Sequence, residues 1–417
     1  MGSSTFVSET AATGSTTRSR TRGSFKLHVD PLLVITVASL LIFGLLMVYS
    51  SSWPIGIQNG DPGFVLNNQL RWAVVGVIAL CALTFLDYHR LAQFALPIML
   101  VTILLLIVVL FVNPNPNVPG RTLFKNSVQP SEMAKLSIII YLSVWLVSKK
   151  DQLNKFTLGL VPLMTIVAFT ASIIILQPDL SAAATVVILG ITLFFLTGSD
   201  VRQIALLLLV IALVGLLVVN FSSTGRQRLA DFQSGWRDPI EASYHVQRAF
   251  EAIVNGGIFG VGIGKGTTKF TGLPVPWTDS IFAVITEETG LIGAIFTVGA
   301  YLVFIWRGFV IAQHAPDMMG KLMAAGITCW IGLEAIINMG VLINLAPMAG
   351  NALPLVSAGG SSLVTTMVGI GILMSIGRLG GSSSAASNGR AFDAVVDLRG
   401  RDRRRSVPRR GRFTGAR

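Results

Sequence analysis

The chain of 417 residues is 52% hydrophobic and only 12% charged, and its mean hydropathy is +0.69. Soluble proteins carry roughly 25% charged residues, so this deficit excludes an ordinary soluble fold and indicates a surface that faces lipid. Only α-helices and closed β-barrels satisfy their backbone hydrogen bonds in lipid, and uniformly apolar runs exclude a barrel. The sequence therefore predicts an all-α, polytopic membrane protein.

The net charge of +12 is concentrated in the two tails of the chain. Because each tail adjoins an apolar run, the positive-inside rule and attraction to anionic membrane lipids explain the charge, and we expect no nucleic-acid partner. Both tails are also poor in apolar residues, which predicts disorder. We therefore divide the chain into a disordered basic cytoplasmic tail (1–28), a transmembrane domain (29–379) and a disordered Arg-rich cytoplasmic tail (380–417).

Apolar runs long enough to cross a bilayer predict about ten spans. They lie at Leu32–Ser51, Trp72–Phe85, Leu91–Val112, Met133–Val147, Phe156–Leu176, Ser181–Thr197, Ile204–Asn220, Ile281–Trp306, Leu322–Ile343 and Val356–Ile376. Basic residues between spans four and five, six and seven, and eight and nine indicate an even number of spans with both termini in the cytoplasm. The connection between spans seven and eight, about 221–280, then lies outside.

This outer loop concentrates the polar chemistry of the chain. It carries Arg226, Arg228, Trp236, His245 and Lys265. An excess of basic residues opposes the positive-inside rule on this side, and an anionic ligand at the outer membrane face would explain it. The glycine-rich run 256–266 lacks the Walker A spacing, so it is interpreted as a tight turn or re-entrant piece at the interface.

Asp279 ends the loop, just where the eighth span begins. Two interpretations are compatible: an N-cap of the following helix, and a general base acting on a substrate held at the outer leaflet. Glu287 and Glu288 follow about two turns further on, and Glu334 lies inside span nine. Ionisable groups at such depth indicate a functional or paired role.

Further polar residues open the other spans. Glu132 and Lys135 share one helical face, so an ion pair is the plain alternative to a binding role. Asp179 lies in the turn between spans five and six, and Ser357 and Ser361 lie in a Gly- and Pro-rich element before the last helix. No Cys/His set has metal-ligand spacing, so we predict no metal site from protein ligands and no certain cofactor, and leave a divalent cation open.

The ordered set of short motifs resembles the SEDS family (shape, elongation, division and sporulation), typified by FtsW and RodA. The motifs are Val48-Tyr49-Ser50, Gln129-Pro130-Ser131-Glu132 with Lys135, Gln177-Pro178-Asp179-Leu180, Tyr244-His245, Gly256-Gly257, Leu273-Pro274, Thr278-Asp279, Glu287-Glu288, and Ser357 with Gly359-Gly360-Ser361. The chain is similar to a divergent member, since Ser280 stands where the family has Phe. The spacing around Gly260-Val261-Gly262 leans towards the FtsW-like, division type.

The resemblance implies a peptidoglycan glycosyltransferase that polymerises lipid II at the outer face of the bacterial cytoplasmic membrane, with a class B penicillin-binding protein as transpeptidase partner. Asp279 falls on the family's essential aspartate and becomes the candidate general base. Basic loop residues would hold the pyrophosphate of lipid II and of the departing undecaprenyl pyrophosphate. The expected substrate contacts are Arg226, Arg228, Trp236, His245, Lys265, Glu132, Lys135, Asp179, Ser357 and Ser361. A flippase of lipid-linked precursors and a scaffold without catalysis stay open as alternatives.

Overall fold

The computed structural model describes residues 29–58, 60–112, 122–123, 128–153 and 155–400, and only the backbone of 382–400. These residues are helical and irregular, with one isolated β-bridge between Leu123 and Val128. The α-helices in chain order are α1 Pro31–Gln58, α2 Phe64–Phe85, α3 His89–Val112, α4 Pro130–Ser148, α5 Val161–Ile175, α6 Leu180–Leu196, α7 Val201–Phe221, α8 Ser223–Arg237, α9 Tyr244–Gly256, α10 Ile281–Gln313, α11 Met318–Leu342 and α12 Gly360–Gly400.

The prediction of an all-α, polytopic membrane protein is confirmed. Within the described residues, nine helices are long and apolar enough to cross a membrane. The predicted sixth span corresponds to α6, an apolar helix of 17 residues, so the count of ten stays a prediction. The predicted second span began too late: α2 starts at Phe64, and its polar first turns contain Gln69, which is buried in the protein.

The bundle is built around α4, α11 and α12. In their most apolar 18-residue windows, 61% of α4 and 72% of both α11 and α12 are buried. At the other extreme, only 6% of the corresponding window of α7 is buried, so α7 stands at the periphery with most of its side chains facing outward. The polar groups of a membrane protein are tolerated inside such a bundle rather than on its lipid face, and α4, α10 and α11 carry buried charges described below.

The predicted outer loop contains two helices that the sequence analysis did not anticipate. Ser222 caps α8, its hydroxyl oxygen accepting a hydrogen bond from the Gly225 N–H at 3.1 Å. On α9, Val246, Ala249 and Ala252 are buried at a spacing of three residues, and α9 packs on α10 through this face. Amphipathic spacing of this kind explains why the segment is helical although it is too polar to span.

The two predicted tails lie largely outside the described residues. Residues 1–28 and 401–417 are not described, and α12 runs through Gly400 with only its part Gly360–Gly381 apolar enough to span. The disorder expected for 1–28 and 380–417 therefore stays a prediction, as does the orientation of both termini.

Candidate active site

Helix ends from distant parts of the chain meet at one end of the bundle. The first residues of α4, α6 and α12 lie there, linked by hydrogen bonds between positions 48 to 232 residues apart. The segment before α10 joins them through a bond from Ser357, just before α12, to Thr278. A helix N-terminus presents unpaired N–H groups and a partial positive charge, so this end is suited to hold carboxylates and anionic ligands. We call it the site end.

Asp279 lies half-buried at the site end, one residue before the N-cap of α10. The N-cap is Ser280, whose side chain makes no capping bond, so the interpretation of Asp279 as the cap is wrong. Instead, the Ser280 hydroxyl donates to the Pro274 carbonyl at 2.6 Å. This bond closes the loop 274–280, which carries Asp279 immediately before α10.

The main chain on both sides of Asp279 is fixed by α11 and by the segment before α12. The Asn338 amide donates to the carbonyl oxygen of Asp279 at 2.9 Å and to that of Asn351 at 2.7 Å. The Ser357 hydroxyl donates to the carbonyl of Thr278 at 2.7 Å. Three consecutive residues are held in this way, since the Ala358 N–H also donates to the carbonyl of Trp277 at 2.8 Å.

Gly350 lies directly against the Asp279 carboxylate. A Cβ atom at this position would stand 3.3 Å from Oδ2 of Asp279. That separation is tighter than an ordinary contact between a carbon atom and an oxygen, so a glycine here leaves room for the carboxylate and for whatever group it binds.

His245 joins α9 to the same segment through a hydrogen bond between its Nε2 and the Ser280 hydroxyl. Since the only hydroxyl proton of Ser280 is donated to Pro274, the ring nitrogen must be the donor, which assigns the Nε2–H tautomer. Burial lowers the pKa of His245 from 6.5 to about 4, so the ring is neutral at pH 7 and binds Ser280, the residue after Asp279, without adding charge.

The glycine-rich run packs against a break in α10. Gly290 has φ 69° and ψ −167° inside the helix, and the carbonyls of Glu287 and Glu288 accept hydrogen bonds from the N–H groups of Val261 and Gly262, both at 3.0 Å. A Cβ at Gly256 would collide with the Thr286 carbonyl oxygen. The run is therefore a close-packed turn, as expected, and its glycines allow two backbones to touch.

The carboxylates of Glu287 and Glu288 are both paired. Glu287 accepts from the N–H groups of Thr267 and Thr268, at 2.9 and 3.1 Å, and from both threonine hydroxyls. Glu288 forms an ion pair with Lys269 at 2.6 Å, and both side chains are almost completely buried. Lys269 also donates to the carbonyl and hydroxyl of Ser50, so this pair ties α1 to the loop.

A second buried charge group lies between α4 and α11. The ammonium of Lys135 pairs with Glu132 at 2.7 Å and with Glu334, and Lys135 and Glu334 are each 2% exposed. The Glu132–Lys135 ion pair, named above as the alternative to a binding role, is present. Glu334 is the third member of this charge group, and its bond to Lys135 pairs α11 with α4. Glu132 also accepts from the Ser362 hydroxyl at 3.2 Å, which joins α12 to the group.

Asp179 accepts hydrogen bonds from the ends of two helices, α4 and α6. It is the N-cap of α6, with Oδ1 accepting from the Ala182 N–H at 3.2 Å. Its Oδ2 accepts from the Gln129 amide at 3.1 Å and from the Ser131 hydroxyl at 3.0 Å, and the Gln129 N–H donates to Ser361 at 3.0 Å. Asp179 and Ser361 therefore stabilise the site end by joining the first residues of α4, α6 and α12.

An apolar groove, the first groove, leads from lipid to the site end. It is a cavity of about 490 Å³ between α5, α6, α7 and α8, lined almost entirely by aliphatic side chains. Arg228 contributes the charged side chain of its lining, and Ala349 closes it beside Gly350. The groove therefore reaches the neighbour of the Asp279 carboxylate.

The structure brings some of the expected binding residues together and leaves others apart. Glu132, Lys135, Asp179, Ser357 and Ser361 all belong to the buried hydrogen-bond networks of the site end. Arg226 is exposed and, two residues from Arg228 on α8, points to another side of that helix. Trp236 is 63% exposed and Lys265 is also exposed, so neither is built into the site.

Sequence reasoning missed two residues that hold the site together, Lys269 and Asn338. Lys269 is one of several basic residues in the loop, and only its distance to Ser50 and Glu288 distinguishes it from exposed Lys265. Asn338 had a usable signal: a primary amide inside an apolar span, four residues after Glu334 and so on the same helix face, needs partners within the bundle. In the described residues no group of three or more His, Cys, Asp and Glu could hold a metal ion.

Fold and site together define a polytopic membrane protein whose polar centre lies where several helix N-termini meet. The profile of the FtsW/RodA/SpoVE family, described as cell cycle protein, matches residues 31–380. The chain belongs to this family, and it is an integral inner-membrane protein.

Two curated relatives cover most of the chain. The stage V sporulation protein E of Bacillus subtilis is 35% identical over 367 residues, which is 85% of this chain and 98% of the relative. A probable peptidoglycan glycosyltransferase FtsW of Geobacter metallireducens is 33% identical over 365 residues, or 85% of this chain and 97% of the relative.

Solved structures share the fold. A chain from a structure described as the structural coordination of polymerization and crosslinking by a peptidoglycan synthase complex superposes with a TM-score of 0.68 at 26% identity, covering 84% of this chain and 98% of that one. The rod shape determining protein RodA of Thermus thermophilus gives a TM-score of 0.59 at 25% identity, covering 85% and 98%. These likenesses agree with the resemblance found in the motifs.

Proposed function

We propose that this chain is a peptidoglycan glycosyltransferase that polymerises lipid II at the outer face of the bacterial cytoplasmic membrane. The observation that carries the proposal is the position of Asp279: its main chain is fixed on both sides, and its carboxylate faces Gly350 at the end of an apolar groove. Family membership supports the same reaction class, because several relatives carry that name.

In the proposed reaction, Asp279 accepts the proton of the sugar hydroxyl of one lipid-linked saccharide. That oxygen forms a bond to the anomeric carbon of a second lipid-linked saccharide, while the bond from this carbon to the pyrophosphate oxygen breaks. The electron pair leaves with undecaprenyl pyrophosphate, whose negative charge needs cations nearby. Arg228 is the best-placed candidate, since it lies on the wall of the groove that would hold the departing tail. Arg226 and Lys265 are proposed only for the earlier encounter with the anionic head group.

The proposal includes the topology and the partner expected from the sequence. Both termini lie in the cytoplasm, so the segment that carries α8, α9 and Asp279 faces outward, where a class B penicillin-binding protein crosslinks the new glycan. A solved structure of similar fold, described as a peptidoglycan synthase complex, supports the expectation of a partner. Of the alternatives, the flippase is weakened by Glu334, which is paired with Lys135 in the packed bundle and so does not need a transported group to explain it.

The test is polymerisation of labelled lipid II by the purified full-length protein with its transpeptidase partner. Asp279→Asn removes the base and keeps the shape, so glycan synthesis should fall by about 10²–10⁴-fold, which is the usual contribution of general-base catalysis. Asp231→Asn, a half-buried aspartate on α8, is the matched control and should polymerise like the wild type. Equal glycan synthesis by wild type and Asp279→Asn contradicts the assignment, and lipid translocation without any glycan favours the flippase.

A further inference from the structure

A second apolar groove, larger than the first, enters the bundle from another side. It is a cavity of about 780 Å³ between α2, α3, α4 and α12, and it shares no lining residue with the first groove. It exists because α2 packs on α12 while α3 packs on α4, which leaves a cleft between the two pairs. Nothing in the proposed reaction, as described so far, uses it.

The lining of the second groove suits a hydrocarbon chain. None of its described lining residues is charged. Two of its few polar side chains, Thr102 and Ser137, bond to each other at 2.8 Å, and Thr102 also donates to Ile98 in its own helix. The groove therefore offers a surface that is mostly aliphatic and aromatic and carries no charge, which is the environment an apolar chain prefers.

The end of the second groove is linked to the Asp279 segment through the residues that precede α12. Trp72 and Ser361 form the groove's end nearest the site, and the Trp72 indole ring lies against Gly360. From there the chain runs back through Gly359 to Ala358, whose N–H donates to the carbonyl of Trp277, two residues before Asp279. The first groove ends at Ala349, beside Gly350, and the position of a Cβ on Gly350 lies 3.3 Å from Oδ2 of Asp279. The two grooves therefore end at segments that pack on or bond to the Asp279 segment, and they come from different helices.

The depth of the second groove matches one leaflet of a bilayer. Along α12 it extends from Ser361 to Ile372, and at about 1.5 Å per residue this is roughly 16 Å, about half of the ~30 Å hydrocarbon core. A tail lying in it would keep its head group at the site end and leave its far end free in lipid.

We propose that the second groove binds the polyprenyl tail of the acceptor, while the first groove binds the tail of the donor. The inference rests on the proposed function, in which both reacting saccharides are linked to lipid and must reach one aspartate together. The assignment follows from charge. The pyrophosphate of the donor gains negative charge as it leaves and needs a cation at that point, which Arg228 supplies in the first groove. The pyrophosphate of the acceptor stays bonded and gains no charge, so the tail of the acceptor is assigned to the second groove, whose described lining has no charged residue.

Three matched substitutions test the assignment in the full-length protein. Val101→Trp narrows the second groove, Val214→Trp narrows the first, and Val74→Trp places the same bulk on α2 outside both. The three valines are 55%, 51% and 58% exposed, so each variant should fold. The assay measures the formation of a single glycosidic bond. The donor is a lipid-linked glycan whose own acceptor hydroxyl is blocked. The acceptor is a lipid II analogue whose link to pyrophosphate cannot be cleaved.

We expect Val101→Trp to raise the KM of the acceptor about tenfold and to leave the KM of the donor unchanged, because part of the tail's apolar contact is lost. Val214→Trp should do the reverse, and Val74→Trp should change neither. Equal kinetics for Val101→Trp and Val74→Trp would overturn the proposal, and so would a rise in the KM of the donor alone with Val101→Trp.

A binding measurement separates this proposal from the proposed function. Lipid II with a diazirine in its tail is photolysed with the Asp279→Asn protein, and labelled peptides are mapped. Labelling of α3 and α12 that unlabelled lipid II removes, but phosphatidylglycerol does not, supports the groove even if catalysis is not found. If phosphatidylglycerol removes the labelling equally well, the groove is an ordinary lipid site. If the transpeptidase partner removes it, the groove is a docking site for a helix of that partner. Either result contradicts the proposal.

Discussion

The side-chain amide of Asn338 binds the carbonyl oxygen of Asp279 at 2.9 Å and that of Asn351 at 2.7 Å, so one residue of α11 holds two irregular segments together. A primary amide has two N–H donors, and Asn338 uses both on main-chain carbonyls. The main chain at Asp279 is therefore held by a helix that carries no part of the connection 221–280.

Asn338→Ala should lower turnover more than it lowers substrate affinity. Loss of both hydrogen bonds lets the Asp279 segment shift, and a misplaced base reduces the rate by about 10–100-fold, while the tail grooves and KM stay nearly unchanged. Asn351→Ala is the control, because only the carbonyl of Asn351 takes part and that group is retained. Steady-state glycan synthesis gives both constants, and a variant that changes KM alone would show that Asn338 acts on substrate binding instead.

The fastening of α9 to Ser280 should depend on pH. The pKa of His245 is about 4 in the folded protein and 6.5 in an exposed reference, so below pH 6.5 the unfolded chain takes up a proton that the folded chain refuses. Stability is then complete above pH 6.5 and is lost as the pH falls towards 4. Thermal unfolding between pH 4 and 7 should show this loss in the wild type and less of it in His245→Gln.

His314→Gln serves as the control in the same scan, since His314 is exposed at the end of α10. If His245→Gln and the wild type lose stability in parallel, another group is responsible for the pH dependence.

Two lysines of the outer loop should respond very differently to removal of their charge. Lys269→Met leaves the Glu288 carboxylate buried without its cation and should lower the free energy of unfolding by about 3–5 kcal/mol. Lys265→Met removes an exposed charge and should change it by about 0.5 kcal/mol or less. Thermal unfolding in detergent compares the two, and addition of Glu288→Gln to Lys269→Met should restore part of the loss. Equal stability of the two single variants would show that the Lys269 pair contributes little.

The group of Glu132, Lys135 and Glu334 has two carboxylates for one ammonium, and this excess predicts an asymmetric response. Glu334→Gln keeps an oxygen for Lys135 and removes the repulsion between the two carboxylates, so it should unfold at the same or a higher temperature. Lys135→Met leaves the carboxylates of Glu132 and Glu334 without their cation and should lower the free energy of unfolding by about 3–5 kcal/mol. Loss of stability in Glu334→Gln as large as in Lys135→Met would contradict this view of the charges.

The sequence predicts the spans well because long apolar runs leave few alternatives in a bilayer. It also placed Asp279, Glu287 and Glu288 near the start of the eighth span, where α10 begins. The start of α2 was not predictable from hydropathy. Gln69 is polar, yet it is buried because its amide group bonds to the Ser357 carbonyl and the Gly359 N–H, 288 and 290 residues away.

The pairing of the charges could not be derived from the sequence for the same reason. Local spacing indicated Glu132 with Lys135, which are three residues apart, and this pair is present. The partner Glu334 is 199 residues further along the chain, and Ser50 is 219 residues from Lys269. Such contacts depend on how the helices pack, so spacing along one helix contains no information about them.

The break at Gly290 makes two remote pieces of chain into one hydrogen-bonded unit. Val261 and Gly262 donate to the carbonyls that the break leaves unpaired, and Leu291 and Ile292 donate to the carbonyls of Gly257 and Ile258. These four amides connect the loop and both halves of α10 in both directions, so we expect their protons to exchange with solvent in one cooperative opening. We therefore expect the first half of α10, with Asp279 before it, to move together with the glycine-rich turn when a glycan is admitted or released.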